Sequence, residues 1–265
     1  MYVQTGRALF LEAVIGNTKI EYTDTGCGDA VVMLHGWGSC KEAFAPVIAT
    51  VSEKYRVIAP DLPGFGKSSE PPDVWDVGDF ADLIKRFIVS LGLEKIILLG
   101  HSYGGRVSIK LAASTSLPFE ISKLILVDSA GIIPRRGIGY KMRVYSYKAA
   151  KKIMNTPPLR KLFPGAVEKM QKKRGSSDWQ NASPVMRGCL VKAVNEDLEP
   201  LLPRITSETL LIWGTEDDAT PICDGELMEK KIHGAGLAKI PGAGHFSWLD
   251  SPAVFDAVIR SYLKI

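Results

Sequence analysis

The sequence lacks any apolar run approaching the ~20 residues that cross a bilayer, which argues against stable membrane insertion. Its opening stretch, MYVQTGRALFLEAVIGN, is interrupted by Glu12 and carries no small-residue cleavage pattern, so no secretory signal is expected. Cysteine is sparse. Cys27, Cys40, Cys189 and Cys223 are widely scattered, with no C-x-x-C and no zinc-ligand spacing. That excludes a disulfide framework and a zinc module, and it implies free thiols, a cytoplasmic location and no metal site. Internal repeats and low-complexity tracts are also missing. No recognised nucleic-acid-binding module is present, so nucleic acid is not an expected partner.

The chain is 265 residues long, 46% hydrophobic and 23% charged, which suits one large soluble α/β domain or one domain carrying an insertion. Its net charge of +4 is unevenly spread. Residues 135–174 hold thirteen Lys or Arg against one acid, Glu168; this local +12 leaves −8 on the remainder. Within that segment Tyr140, Val144 and Tyr147 have the spacing of one buried helical stripe, the basic side chains forming a solvated face. Recruitment of anionic substrates or of a membrane surface is the functional alternative.

Two short runs, Phe10–Ile15 and Lys19–Thr23, flank Gly16-Asn17 and read as a hairpin. Continuous apolar runs at Ala30–Gly36 and Arg56–Gly64, then KIILLG and KLILVDSAG, read as strands covered on both faces. Between them, Phe80–Gly92 and YGGRVSIKLAAS have helical spacing. Thr209–Pro221 and Gly236–Phe246 are two further strands, and the chain closes on a helix for which Ser251 offers a cap and Pro252 a first turn. This alternation predicts a mostly parallel sheet flanked by helices on both faces. Residues 132–202 separate two core strands, are too long for a connection and read as an inserted helical cap, with a helix from Ser183-Pro184 through Val194. The core is then 1–131 and 203–265.

Gly100-His101-Ser102-Tyr103-Gly104 fits G-x-S-x-G where a strand meets a helix. Gly100 and Gly104 permit a sharp turn, Ser102 becomes a candidate nucleophile, and the Tyr103 N–H sits at a helix N-terminus that favours negative charge. A serine needs a base. Of four histidines, His101 would point away from Ser102 and pack under the turn, and His233 follows charged residues in a loop. His35 would brace the LHGWG loop, which leaves His245 in PGAGHF as the base. The orienting acid would follow the strand ending near Gly214, where Glu216, Asp217 and Asp218 are equivalent on physical grounds; Asp128, after the neighbouring strand, is a further candidate. Gly36 allows the turn that would aim the Trp37 N–H at an oxyanion. Gly66-Lys67-Ser68 mimics the end of a P-loop, but the required first glycine is Asp61.

HGWG (His35–Gly38), DLPGFGKS (Asp61–Ser68), GHSYGG (Gly100–Gly105), WGTEDDATP (Trp213–Pro221) and GAGHF (Gly242–Phe246), in this order, resemble the α/β-hydrolase fold family. The resemblance selects Asp217 through the family pattern W-G-x-x-D-x-x-x-P, and keeps Asp128 as an alternative because some relatives carry the acid there. It implies a cofactor-free serine hydrolase acting on small-molecule esters through Ser102, His245 and Asp217. Serine at 102 argues against the epoxide hydrolases and haloalkane dehalogenases of the family, whose nucleophile is a carboxylate. Carbon–carbon bond hydrolases, lyases and small-molecule receptors on this fold stay open, as does a homodimer.

Overall fold

The computed structural model describes residues 9–133, 156–157 and 177–265. The basic segment 135–174 and its Tyr140–Val144–Tyr147 stripe fall almost wholly outside the described residues.

One sheet contains β1 (Leu9–Ile15), β2 (Thr18–Thr25), β3 (Ala30–Leu34), β4 (Arg56–Pro60), β5 (Lys95–His101), β6 (Glu120–Val127), β7 (Glu208–Gly214) and β8 (Gly236–Ile240). Their spatial order is β1-β2-β4-β3-β5-β6-β7-β8. Only β1–β2 and β2–β4 pair antiparallel; every other neighbour is parallel. The first two strands turn at Gly16-Asn17, with Gly16 at φ 62°.

Strand alternation divides the core into two layers. Val32, Leu34 and Leu98 face one side with Phe80, Leu83 and Phe87 of α2 (Val77–Ser90) and Val107 of α3 (Tyr103–Ala112). Val31, Met33, Ile97 and Leu99 face the other with Val47 and Val51 of α1 (Ala45–Val51) and Phe255 and Ile259 near the C-terminus. Burial on both faces is why these strands read as unbroken apolar runs.

Element ends differ from the sequence expectation for local reasons. Helix α2 starts at Val77, before Phe80, because Asp76 caps it: its carboxylate accepts from Gly78 and Asp79 N–H, while Asp79 accepts from the Asp76 N–H. Strand β4 stops at Pro60 and β8 at Ile240, both short of their apolar patterns. The APVIATV run folds as α1 despite its β-branched residues, since Pro46 fits the first turn and Val47 and Val51 bury one i,i+4 edge. Between β6 and β7 lie α4 (Ser177–Asn181) and α5 (Pro184–Asn195), the latter capped by Ser183 Oγ on Met186 N at 3.2 Å. After β7 come α6 (Ile222–Lys231), α7 (Ser247–Asp250) and α8 (Pro252–Leu263). Ser251 makes no side-chain cap bond to α8, contrary to expectation, because its φ of −137° and ψ of 64° do not direct the hydroxyl onto the first turn.

The DLPGFGKS stretch folds around its own carboxylate. Asp61 accepts from Lys41 N at 2.8 Å, Lys41 Nζ at 2.8 Å and Lys67 N at 3.0 Å. Lys41 also bonds Glu21 at 2.9 Å, and it is as buried as a core leucine, at 1% exposure. Burial opposes its charge, but the bonds to Asp61, Glu21 and Glu42 outweigh that and raise its pKa. The glycine-rich loop therefore wraps an internal anion where a P-loop would hold phosphate. Replacing Lys41 by methionine strands two buried carboxylates and should cost about 3–5 kcal/mol in urea unfolding. The exposed Lys19–Glu12 pair provides the control: Lys19→Met should cost under about 1 kcal/mol.

Candidate active site

Ser102 occupies the turn between β5 and α3 with φ 50° and ψ −110°, outside the regions ordinary side chains prefer. The turn is possible because the neighbouring backbone is bare. A methyl group on Gly104 would collide with the Leu34 carbonyl oxygen, so the first turn of α3 rests directly on the end of β3. A methyl on Gly36 would sit 2.9 Å from His101 Nδ1 and 3.3 Å from Ser102 Cβ, which places the HGWG loop against the same turn.

His245, on the loop after β8, lies 2.9 Å through Nε2 from Ser102 Oγ and 2.8 Å through Nδ1 from Asp217 Oδ2. The network requires a proton on Nδ1, leaving Nε2 to accept from the serine hydroxyl. Asp217 is fixed in turn. Its Oδ1 accepts from Ala219 and Thr220 N–H at 2.9 Å each, and the Thr220 hydroxyl lies 2.7 Å from Oδ2. Burial pushes the Asp217 pKa up, but bonds from His245 and Thr220 prevail and hold it below its ordinary value. Thr220 was not singled out from sequence; the Asp-x-x-Thr spacing of a side-chain turn is the signal that could have found it.

Asp128 does something different. One oxygen accepts from Gly214 N at 2.8 Å and the other from Ser247 N at 3.1 Å, tying the end of β6 to β7 and α7. Burial is the main cause that raises its pKa to about 6, against the pull of those N–H groups. The acid bonded to His245 is Asp217, and Asp128 is occupied by backbone.

His101 donates Nε2–H to the His245 carbonyl at 2.8 Å and packs edge-on to Trp248, so it holds the loop that carries His245. Burial lowers its pKa to about 3. His35 bonds Gly36 O through Nδ1 at 2.8 Å and accepts from Leu62 N at 2.9 Å, joining two loops at the site. His233 is exposed. Among the described residues, neither the Trp37 nor the Tyr103 amide has an acceptor, and both residues line a cavity of about 500 Å³ with Ser102 and His245. Leu190, Ala193 and Val194 of α5 form another wall. Among the described residues no His, Cys, Asp and Glu cluster has the makings of a metal site, and no helix is long and apolar enough to cross a membrane.

The model of the α/β-hydrolase fold matches residues 29–252, spanning all of these elements from β3 to α7. The chain belongs to the α/β-hydrolase fold family. It is similar to 2-hydroxy-6-oxo-6-phenylhexa-2,4-dienoate hydrolase of Burkholderia cepacia, 26% identical over 95% of this chain and 93% of that protein. It is similar also to haloalkane dehalogenase 2 of Mycobacterium bovis, 24% identical over 91% and 90%. Among solved structures, an esterase from Exiguobacterium antarcticum superposes with a TM-score of 0.75 at 29% identity, covering 97% of this chain and all of the other.

The two acids should separate experimentally. Asp217→Asn should slow labelling of Ser102 by a fluorophosphonate by on the order of 10⁴. Asp128→Asn should act on stability. In the folded state the Asp128 carboxyl keeps its proton between the ordinary value of 3.8 and about 6, where the unfolded chain has lost it. This group's contribution to stability therefore declines as pH rises through that window. Urea midpoints measured across it should show that component of the slope in the wild type and not in Asp128→Asn.

Proposed function

We propose that this protein is a serine hydrolase that cleaves carboxylic esters of small molecules through an acyl-enzyme. One observation carries the reading: an unbroken relay from Ser102 Oγ through His245 to a backbone-anchored Asp217, opening on a cavity. His245 takes the serine proton as Ser102 attacks the ester carbonyl, and Asp217 stabilises the imidazolium that forms. The free Trp37 and Tyr103 amides receive the oxyanion, each worth about 2.7–4 kcal/mol. His245 returns the proton to the departing alcohol, then activates the water that releases the acid. No cofactor is needed for any step.

Residues 132–202 are the cap in this reading, over a core of 1–131 and 203–265; the wall formed by Leu190, Ala193 and Val194 supports it. Similarity to the dienoate hydrolase favours a second reading, hydrolysis of a carbon–carbon bond beside a ketone by the same Ser–His pair. Similarity to a haloalkane dehalogenase does not favour dehalogenation here, because the family resemblance implies a carboxylate nucleophile for that chemistry and position 102 is serine.

Ser102→Ala should keep its circular dichroism and lose kcat on p-nitrophenyl esters by roughly 10⁶-fold. Mass spectrometry should find a fluorophosphonate adduct on the Ser102 peptide of the wild type. Undiminished hydrolysis by the alanine variant would contradict the proposal.

A further inference from the structure

Arg106 stands one helical turn beyond Ser102, its N–H bonded to the Ser102 carbonyl at 3.3 Å. Residues four apart share a helix face, and Arg106 lines the same cavity as the candidate nucleophile. It is only 6% exposed. Among the described residues its side chain makes a single hydrogen bond, from Nη1 to the Glu196 carbonyl at 2.8 Å, and no ion pair. A guanidinium has five N–H donors, so most of this fork is left without a protein acceptor. The nearby Glu196 carboxylate is paired with Lys110 on the next turn of α3 and makes no ion pair with Arg106; its longer-range attraction does not offset the burial that lowers the Arg106 pKa. A buried cation with so few partners is costly to maintain unless something completes its shell.

We propose that Arg106 receives a carboxylate of the substrate, so that the natural substrate is an anionic ester whose charge lies a few bonds from the scissile carbonyl. This rests on the serine-hydrolase reading. The planar fork offers two parallel N–H groups to a carboxylate, a geometry that a water or a neutral acyl chain does not match. Ile132, Leu190 and Ala193 add apolar surface to the cavity wall, which strengthens a charge–charge contact beside it. Asp224 also lines this cavity and lies within electrostatic reach of Arg106, so its carboxylate competes with a substrate carboxylate for the guanidinium.

The test compares matched esters at constant ionic strength. One pair carries the charge on the acyl side, p-nitrophenyl monoglutarate against p-nitrophenyl pentanoate. The other carries it on the alcohol side, the butyrate ester of 4-hydroxybenzoate against that of 4-hydroxybenzamide. The wild type should prefer the charged member of one pair by at least tenfold in kcat/KM. Arg106→Gln should collapse that ratio by tenfold or more, Arg106→Lys should retain part of it, and Asp224→Asn should raise it severalfold. A wild-type enzyme active on both pairs with no preference for charge overturns the inference, whatever the variants do. So does a ratio that survives in folded Arg106→Gln. Failure of the underlying reading looks different: no ester turns over and no fluorophosphonate adduct forms on Ser102.

Discussion

The reversal of the chain at Ser102 is the constraint around which the rest is arranged. A serine at φ 50° costs about 1–3 kcal/mol, and the surrounding structure must over-determine that conformation for it to persist. It does so from three sides. Strand β5 delivers Ser102 from the centre of the sheet, Gly104 lets α3 start in contact with the end of β3, and Gly36 lets the HGWG loop close against the turn. The reward for this geometry is that the Tyr103 N–H, first of α3, has no acceptor among the described residues beside the Ser102 side chain.

Supporting histidines then fix what the turn faces. His101 lies under the turn and holds the His245 loop by its carbonyl, while His35 joins HGWG to the Asp61 loop. Both bond backbone groups through buried rings, and burial lowers both pKa values, so each is a neutral strut. The two aspartates divide in the same way. Asp217 is held ionised by four donors and faces an imidazole; Asp128 sits among backbone amides with its pKa raised and serves as a staple between strands.

Much of this was legible in the sequence because it depends on local rules. Apolar runs bounded by glycine and proline gave the strands, and the Ser102, Asp217 and His245 motifs fall at the strand ends where a parallel sheet gathers ligands. Choosing Asp217 over Glu216 and Asp218 needed the family pattern, since a loop with three adjacent acids has no local preference. Arg106 was missed for another reason: its significance comes from a partner distant in the chain, Glu196. Thr220 differs, since its bonds to Asp217 are local and the Asp-x-x-Thr spacing carries them. Lys41 was equally invisible, since a lysine in a short 3-10 turn is ordinarily solvated and only the fold brings Glu21 and Asp61 around it. Helix α2 began earlier than its apolar spacing indicated, because a polar capping box sets its start.

The most direct measurement of the central claim is rapid-quench mass spectrometry during the first turnover of a p-nitrophenyl ester. The account predicts a burst of p-nitrophenol matched by transient acylation of the peptide containing Ser102, absent from Ser102→Ala. Turnover without that acyl adduct, or with the acyl group on another residue, would contradict it.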